Sequence, residues 1–175
     1  MKLPLHYYGD PILRARCEEI EKITPDIVQL AEDMIETMIT YNGVGIAAPQ
    51  IGKLLRIYIF RNEWQNDKEE FELGPPQVVI NPILSSPSKE KEEMVEGCLS
   101  LPGVQVNVRR PQKIHIRYQN LHGGYVEMDL EGFAARVNMH ENDHLNGVLH
   151  IDRSDPKDRS QIEAMLRKMK EKNLI

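Results

Sequence analysis

The sequence predicts an α+β fold in which antiparallel or mixed β-sheets lie between an N-terminal helix and a C-terminal helix. Three observations predict it. Apolar residues recur at helical spacing near both ends of the chain, strand-like runs fill the middle, and strands and helices do not alternate one by one. The 175 residues are enough for one compact core, so we expect 1–175 to form a single domain.

Three segments have the apolar spacing of helices. Residues 26–41 carry apolar side chains on one face, and Pro25 suits the first turn of a helix. Residues 133–146 show the same period, and a last helix over about 157–171 follows the helix-start signal Asp155-Pro156.

The middle of the chain has the pattern of β-strands. Residues 54–60 form a continuous apolar run, which indicates a well-buried strand, and 77–84 indicate another. Pro82 interrupts that second strand, which points to a sheet edge or a β-bulge. From 103 to 130 the pattern is that of antiparallel β-structure. Residues 113–118 and 125–130 alternate in period two on either side of the turn Gly123-Gly124, as the two strands of a hairpin do. Two polar stretches are expected to be loops, 61–70 and 85–92.

The bulk composition is that of an ordinary soluble protein, with 41% hydrophobic residues, 28% charged residues and a net charge of −5. A mildly acidic chain has no electrostatic footprint for nucleic acid or an anionic membrane. No transmembrane run or signal peptide is evident, so we expect a cytosolic protein. In that reducing compartment its two cysteines, Cys17 and Cys98, are not expected to form a disulfide.

Residues 140–144 read His-Glu-Asn-Asp-His, an H-E-x-x-H pattern on the second predicted helix. Residues four apart share a helix face, so His140 and His144 can bind one metal ion while Glu141 transfers protons. A helix that merely contains two histidines is the alternative. The coincidence of all three residue types on a helical segment favours a mononuclear metallohydrolase, with the sheets packed around this central helix.

A catalytic metal site of this kind usually has three protein ligands and one open position. Zinc peptidases with this motif take the third ligand from downstream, where this chain offers His150, Asp152 and Asp155. The upstream candidate is Cys98, because a thiolate binds iron or zinc strongly, although a lone cysteine is more often a small core residue. We favour Cys98 because it follows Gly97 in a turn-rich segment.

Residues 43–50, GVGIAAPQ, leave the backbone nearly bare, so that another chain can approach closely. Such a segment can add main-chain hydrogen bonds to an extended peptide. Gln50 supplies an amide donor suited to a developing oxyanion. A tight helix-to-strand turn would explain the glycines equally well.

Taken together, three segments resemble the peptide deformylase family: GVGIAAPQ (43–50), EGCLS (96–100) and MHENDHLNG (139–147), in the family's order. The early YYGDPILR also resembles the family, and the likeness runs to about residue 155. Met139 departs from it, because a glutamine usually stands there. That glutamine is not a metal ligand in the family pattern, so we expect the change to affect polarity near the site and rate.

The resemblance implies removal of the formyl group from the N-terminal methionine of new proteins, in a bacterial-type cytoplasm. It implies one divalent metal ion, natively Fe²⁺, with Zn²⁺, Ni²⁺ or Co²⁺ as substitutes. The implied ligands are Cys98, His140 and His144. Glu141 would be the general base and then acid, while Gln50 and the Leu99 N–H would bind the oxyanion. The implied partners are formyl-Met nascent peptides and, as a further candidate, the ribosome.

Substrate recognition is expected from bare backbone and from an apolar pocket for the methionine side chain. The expected substrate-binding residues are Val44, Gly45, Gly97, Phe133, Arg136 and Val137. Three of them share the helix face of His140, although plain core packing is an alternative for the apolar ones. The apolar stem of Arg136 would line the pocket rim while its charged head reaches water.

Two other functions stay open at this point. One is a zinc peptidase with a downstream ligand, and the other is a metal-stabilised binding protein that lacks catalysis. We also expect Asp143 to form a structural ion pair with Arg110, and the histidines outside the motif to be surface or structural residues; these are His6, His115, His122 and His150. No coiled-coil seam is evident, so we expect a monomer.

Overall fold

A computed structural model describes residues 1–173 of the chain. Its three α-helices are α1 (Pro25–Thr40), α2 (Gly132–Leu145) and α3 (Pro156–Asn173). Its nine strands are β1 (Gly45–Ala47), β2 (Ile57–Phe60), β3 (Glu63–Gln65), β4 (Phe71–Leu73), β5 (Gln77–Ser85), β6 (Lys91–Cys98), β7 (Leu101–Pro111), β8 (Lys113–Gln119) and β9 (Tyr125–Glu131). The predicted α+β class is confirmed, and each predicted helix is present.

The main sheet is antiparallel, in the order β1-β2-β5-β8-β9. Strand β2 is buried on both faces because helices cover both. Ile57 and Ile59 pack in the cluster that includes α1, while Tyr58 and Phe60 pack in the cluster that includes α2. This double burial explains why the sequence of β2 is continuously apolar rather than alternating. It also makes α2 a central helix.

Strand β5 lies inside the main sheet, between β2 and β8. Its register shifts between Ile80 and Ile83, so Pro82 lies at a bulge and not at a sheet edge. Asn81 stands in the left-handed region within this bulge (φ 51°). Its side chain accepts a hydrogen bond from the Ile20 N–H at 2.9 Å and donates one to the Ile20 carbonyl at 2.8 Å. The bulge therefore anchors the N-terminal segment to the sheet.

Both predicted loops contain strand structure that the sequence reading missed. Strands β3 and β4 form a small hairpin within and just after 61–70, and β6 begins at Lys91, inside 85–92. The side chains of β3 and β4 are exposed, and β6 buries only Glu96 on its length. A strand without a buried face leaves no alternating apolar pattern in the sequence.

Strand β6 pairs with β7 in a separate two-stranded sheet. The β7 side of this hairpin packs with Leu149, Ile151 and, from α3, Leu166. The Asp158 carboxylate of α3 also accepts a hydrogen bond from the Asn107 N–H at 2.7 Å. No helix within residues 1–173 has the length and apolar character needed to cross a membrane.

His115 on β8 has a structural setting, as expected. Its ring nitrogens lie 2.7 Å from Glu127 and 2.8 Å from Asp129, both on the neighbouring strand β9. The hydrogen bonds to Glu127 and Asp129 raise the pKa of His115 above its ordinary value.

Candidate metal centre

Two histidines of α2 face a cysteine from the β6–β7 hairpin. His140 and His144 lie one turn apart, with ring centroids separated by 5.2 Å. The Cys98 Sγ lies 3.4 Å from the His144 Nε2, and ligand atoms of all three residues fall within 4.8 Å of one another. The structure thus brings together a cysteine of the hairpin and two histidines of α2. Cys98 lies 42 positions before His140 in the sequence.

Cys98 reaches this position because the hairpin is irregular there. The register of β6 against β7 shifts between Glu96 and Cys98, so Gly97 lies at a bulge, and Cys98 then pairs with Leu101. A bulge re-aims the side chain that follows it. Here it turns the half-buried Cys98 toward α2.

The three downstream candidates for a third ligand have other partners. The Asp155 carboxylate accepts a hydrogen bond from the Lys157 N–H at 2.8 Å. His150 packs behind His140, with ring centroids 5.7 Å apart, and its Nε2 lies 3.1 Å from the Val104 carbonyl. The Asp152 carboxylate accepts hydrogen bonds from the Arg14 guanidinium at 2.5 and 3.1 Å. Among residues 1–173, the cluster of side chains suited to a metal ion therefore contains Cys98 and not these residues.

Glu96 orients His140, a role that the sequence analysis missed. One oxygen of its buried carboxylate lies 2.9 Å from the His140 Nδ1 and 3.0 Å from the Arg110 Nη2. The other accepts from the Arg110 Nε and the Arg136 Nη1, both at 2.6 Å. Burial alone would raise the pKa of Glu96, but the bonds from His140 and Arg110 hold it well below its usual range. An ionised Glu96 fixes the proton of His140 on Nδ1 and leaves Nε2 free to bind a metal.

The charged network continues beneath the site. The expected ion pair is present, because the Arg110 Nη1 donates to the Asp143 carboxylate at 2.9 Å. The Arg153 guanidinium donates to the same carboxylate at 2.6 and 2.9 Å. Glu96 and Asp143 thus stand between arginines, and each buried charge has a partner of opposite sign.

The electrostatics of the cluster suit a divalent cation. Burial would lower the pKa of His140, yet its bonds with Cys98 and Glu96 raise it well above the ordinary value. Burial and the neighbouring His140 lower the pKa of His144, which leaves a neutral imidazole. The Cys98 thiol and the Glu96 carboxylate, which favour a positive charge on His140, would also favour a cation beside its ring. One thiolate and two imidazoles are ligands typical of iron or zinc, so the residues present fit such an ion.

Glu141 is buried beside the cluster. Its Oε1 lies 4.0 Å from the His140 Nε2, and its Oε2 has no hydrogen-bond partner within the described part of the chain. Burial raises the pKa of Glu141 to about 7. A side chain with a pKa near neutrality is suited to both accept and donate a proton.

Gly45 makes room for Glu141. A Cβ atom at this glycine would lie 2.6 Å from the Glu141 Oε1 and 2.9 Å from its Cγ. Gly97, by contrast, has open space, with the side chain of Gln105 nearest at 3.9 Å. The two glycines predicted to face a substrate main chain therefore have different surroundings, and only Gly45 is in close contact with a candidate catalytic group.

Gln50 points its amide into the same site. Its Oε1 accepts a hydrogen bond from the Ala47 N–H at 2.9 Å, which fixes which way the amide faces. Its Nε2 donates to the Ser100 Oγ at 3.1 Å and lies 3.6 Å from the Cys98 Sγ. The amide N–H₂ is thus held beside the metal cluster, as an oxyanion donor must be.

A cleft of about 450 Å³ opens onto the cluster. It lies between the β6–β7 hairpin, the segment 42–45 and the helix α2. All six predicted substrate-binding residues line it: Val44, Gly45, Gly97, Phe133, Arg136 and Val137. Further lining comes from residues that the sequence analysis did not single out, among them Asn42, Met94, Val95 and Gln105.

Comparison with known proteins places the chain in a family. The sequence family described as polypeptide deformylase matches residues 2–160. The chain belongs to this family. A peptide deformylase from Thermotoga maritima is 44% identical over 163 residues, which cover 93% of each chain. The predicted family membership is confirmed.

Solved deformylase structures share the fold. The crystal structure of the Thermotoga maritima peptide deformylase has a TM-score of 0.80 at 43% identity, covering 89% of this chain and 99% of that one. A Synechococcus elongatus peptide deformylase in complex with actinonin has a TM-score of 0.83 at 36% identity, covering 95% and 87%.

The expectation for the charged head of Arg136 is wrong. Its guanidinium is buried and does not reach water, since it donates to the Glu96 carboxylate, to the Val108 carbonyl at 3.0 Å and to the Glu92 carbonyl at 2.6 Å. The buried Glu96 carboxylate needs donors, and Arg136 lies one helical turn before His140, where it can supply one.

Met139, the departure from the deformylase pattern, is not among the described residues that line the cleft. It is buried in the apolar cluster between α2 and the main sheet, together with Tyr58 and Leu145. A methionine fills such an irregular apolar space without needing a hydrogen-bond partner.

Proposed function

We propose that this chain removes the formyl group from the N-terminal formyl-methionine of nascent polypeptides by metal-dependent hydrolysis. One observation carries the proposal. Cys98, His140 and His144 converge beside the buried Glu141 at the cleft, in a chain whose relatives are named peptide deformylase. The whole chain, 1–175, would act as a single catalytic domain in a bacterial-type cytoplasm.

Cys98, His140 and His144 would hold one divalent metal ion, natively Fe²⁺, with Zn²⁺, Ni²⁺ or Co²⁺ able to replace it. When bound, such an ion polarises a carbonyl oxygen and lowers the pKa of water toward neutrality. Glu96 would keep the His140 ring in the orientation and tautomer that a ligand needs.

Glu141 would carry the proton through the reaction. Its carboxylate takes a proton from the attacking water and later delivers it to the departing amine. The elevated pKa of about 7 suits both transfers, because neither proton state is then strongly favoured at neutral pH. Gly45 contributes by leaving the space that Glu141 occupies.

Gln50 and the backbone N–H of Leu99 would stabilise the oxyanion that develops on the formyl oxygen. The Gln50 amide is already oriented by Ala47, so little reorganisation is needed. Loss of one such donor typically raises the barrier by about 3 kcal/mol.

The cleft supports recognition of an extended peptide end. The backbone at Gly97 has open space beside it, which suits main-chain hydrogen bonds to a peptide laid along the hairpin. Val44, Phe133 and Val137 would contact the methionine side chain, since all three line the cleft and two of them share α2 with His140.

The two other functions are less well supported. A zinc peptidase would need a downstream ligand, but His150 and Asp152 have the partners described above. A closed structural site would need four protein ligands, whereas the group found among the described residues has three and borders a cleft.

We also propose that the chain acts as a monomer on formyl-Met nascent peptides. The ribosome is a further candidate partner, through α3, whose last turns carry Lys170 and Lys172.

The direct test is an anaerobic assay of formate release by the purified chain loaded with Fe²⁺. Formyl-Met-Ala is the substrate, and acetyl-Met-Ala, which has a bulkier acyl group, is the comparison. We expect formate from the first and no acetate from the second. An absence of formate at full metal occupancy would overturn the proposal, and cleavage of an internal peptide bond would point to a peptidase instead.

A further inference from the structure

Arg136 joins the central helix to the outer strand of the hairpin. From α2 its guanidinium reaches the Glu92 main-chain carbonyl on β6 at 2.6 Å, and it also donates to the Val108 carbonyl on β7. The Nη1 that meets Val108 also donates to the Glu96 carboxylate at 2.6 Å. One side chain therefore connects three elements, and its own side chain is 9% exposed.

Strand β6 forms one wall of the cleft and is held by few other contacts. Within the described residues its strand partner is β7 alone, and most of its side chains are exposed. Met94, Val95 and Gly97 of β6 line the cleft, with Phe133 and Val137 of α2 also lining it. The position of β6 relative to α2 consequently sets the width of the space between these residues.

The hydrogen bond to the Glu92 carbonyl gives Arg136 a role beyond the charge network around Glu96, because it ties β6 to α2. Glu96 would keep Arg110 and His140 as partners if Arg136 were removed. The Glu92 carbonyl, at the far end of β6 from Cys98, would lose the bond that ties it to α2. Loss of Arg136 should thus release the outer part of β6 from α2, while its pairing with β7 and the support of the metal ligands remain.

We propose that Arg136 is a positioning residue that fixes the distance between β6 and α2 and thereby fits the cleft to an unbranched methionine side chain. This inference rests on the proposed deformylase function. It assigns to Arg136 an effect on substrate affinity and side-chain selectivity, and no contact with the reacting atoms.

The test compares R136M and R136K with the unmodified chain, all loaded with the same metal. Methionine keeps an apolar stem in the cleft wall without a donor, and lysine keeps one charged donor. The control is R14M. Arg14 also donates to a main-chain carbonyl, that of Gly147, and to a carboxylate, that of Asp152, but it does not line the cleft. Metal content and Tm are measured for every variant.

For R136M we expect KM for formyl-Met-Ala to rise about tenfold, because part of the peptide's binding energy is then used to order β6, with kcat within threefold. Preference for formyl-Met-Ala over formyl-Phe-Ala should fall, because a freed β6 admits a wider ring. R136K should recover part of both effects, and R14M should change Tm alone.

A second readout needs no turnover. Binding of the unformylated peptide Met-Ala-Ser, measured by calorimetry, should weaken in R136M by a factor similar to the rise in KM. Unchanged KM, selectivity and peptide affinity in a folded, metal-loaded R136M or R136K would overturn the inference, as would a fall in kcat that follows metal loss. Failure of the unmodified chain to release formate would instead overturn the proposed function, and the peptide-binding comparison would still decide the role of Arg136.

Discussion

Replacement of Gly45 by alanine tests the placement of the proposed proton carrier. The new Cβ would lie 2.6 Å from the Glu141 Oε1 and 2.8 Å from its Cδ, whereas ordinary contact begins at 3.4 Å. The carboxylate must therefore move by about 0.8 Å, since overlapping atoms repel steeply. Glu141 is buried, so it has little room in which to move without disturbing its neighbours.

A displacement of about 1 Å in a reacting group can lower the rate by about 100-fold. We expect G45A to lower kcat by about that factor, while overpacking costs about 1–3 kcal/mol of the free energy of unfolding. The assay is formate release from formyl-Met-Ala, with urea unfolding and metal content measured on the same preparations.

The matched control is G124A, in the turn between β8 and β9. There a Cβ would meet only the Asn120 side chain, at 3.4 Å or more, so kcat should be unchanged. A G45A protein that is folded, fully loaded with metal and within threefold of the original kcat would refute this account of Glu141.

Three further predictions concern the ligand set, the buried ion pairs and the pH dependence of stability. C98S should lose most of its metal on dialysis, measured by atomic emission, while D152N keeps it; the reverse pattern would support a downstream ligand. R110M should lower the free energy of unfolding in urea by about 3–5 kcal/mol, because two buried carboxylates lose a partner; a loss below about 1 kcal/mol would contradict that reasoning. The raised pKa of His115 stabilises the fold fully below its ordinary value of 6.5, and this contribution is lost as pH rises through the raised pKa. H115Q should therefore lower Tm more at pH 5.5 than at pH 9. An equal change in Tm at the two pH values would contradict the idea that Glu127 and Asp129 stabilise the protonated His115.

The parts of the fold that the sequence predicts well are those with a buried face. Helix α1 and the β8–β9 hairpin pack one side against a core, so their apolar residues recur with the period of the element. Strand β6 has no such pattern because its side chains are mostly exposed on a two-stranded sheet. The residues at which β6 begins and ends depend on its pairing with β7, and the local spacing of apolar residues does not indicate that pairing.

Some residues of the candidate site can likewise be predicted from the sequence, whereas others are found only in the structure. His140, Glu141 and His144 are evident from spacing within one helix, and Cys98 from its neighbours and a family resemblance. The roles of Glu96 and Arg136 depend on contacts between residues far apart in the sequence, such as those from Glu96 to Arg136 and His140, 40 and 44 positions away. Sequence spacing shows that such residues exist, but the geometry of the hairpin against α2 decides what they contact.

The central claim is that Glu141 transfers protons beside a metal held by three protein ligands, and E141Q tests it most directly. Glutamine has nearly the shape of glutamate but cannot accept the proton. Residue 141 is not one of the three proposed ligands, so the substitution should leave metal binding intact. The measurement is formate release from formyl-Met-Ala by the original chain and E141Q, each with its metal content determined. We predict one metal ion per chain in both proteins, with kcat lowered at least about 100-fold in E141Q. Equal kcat values at equal metal content would contradict the account.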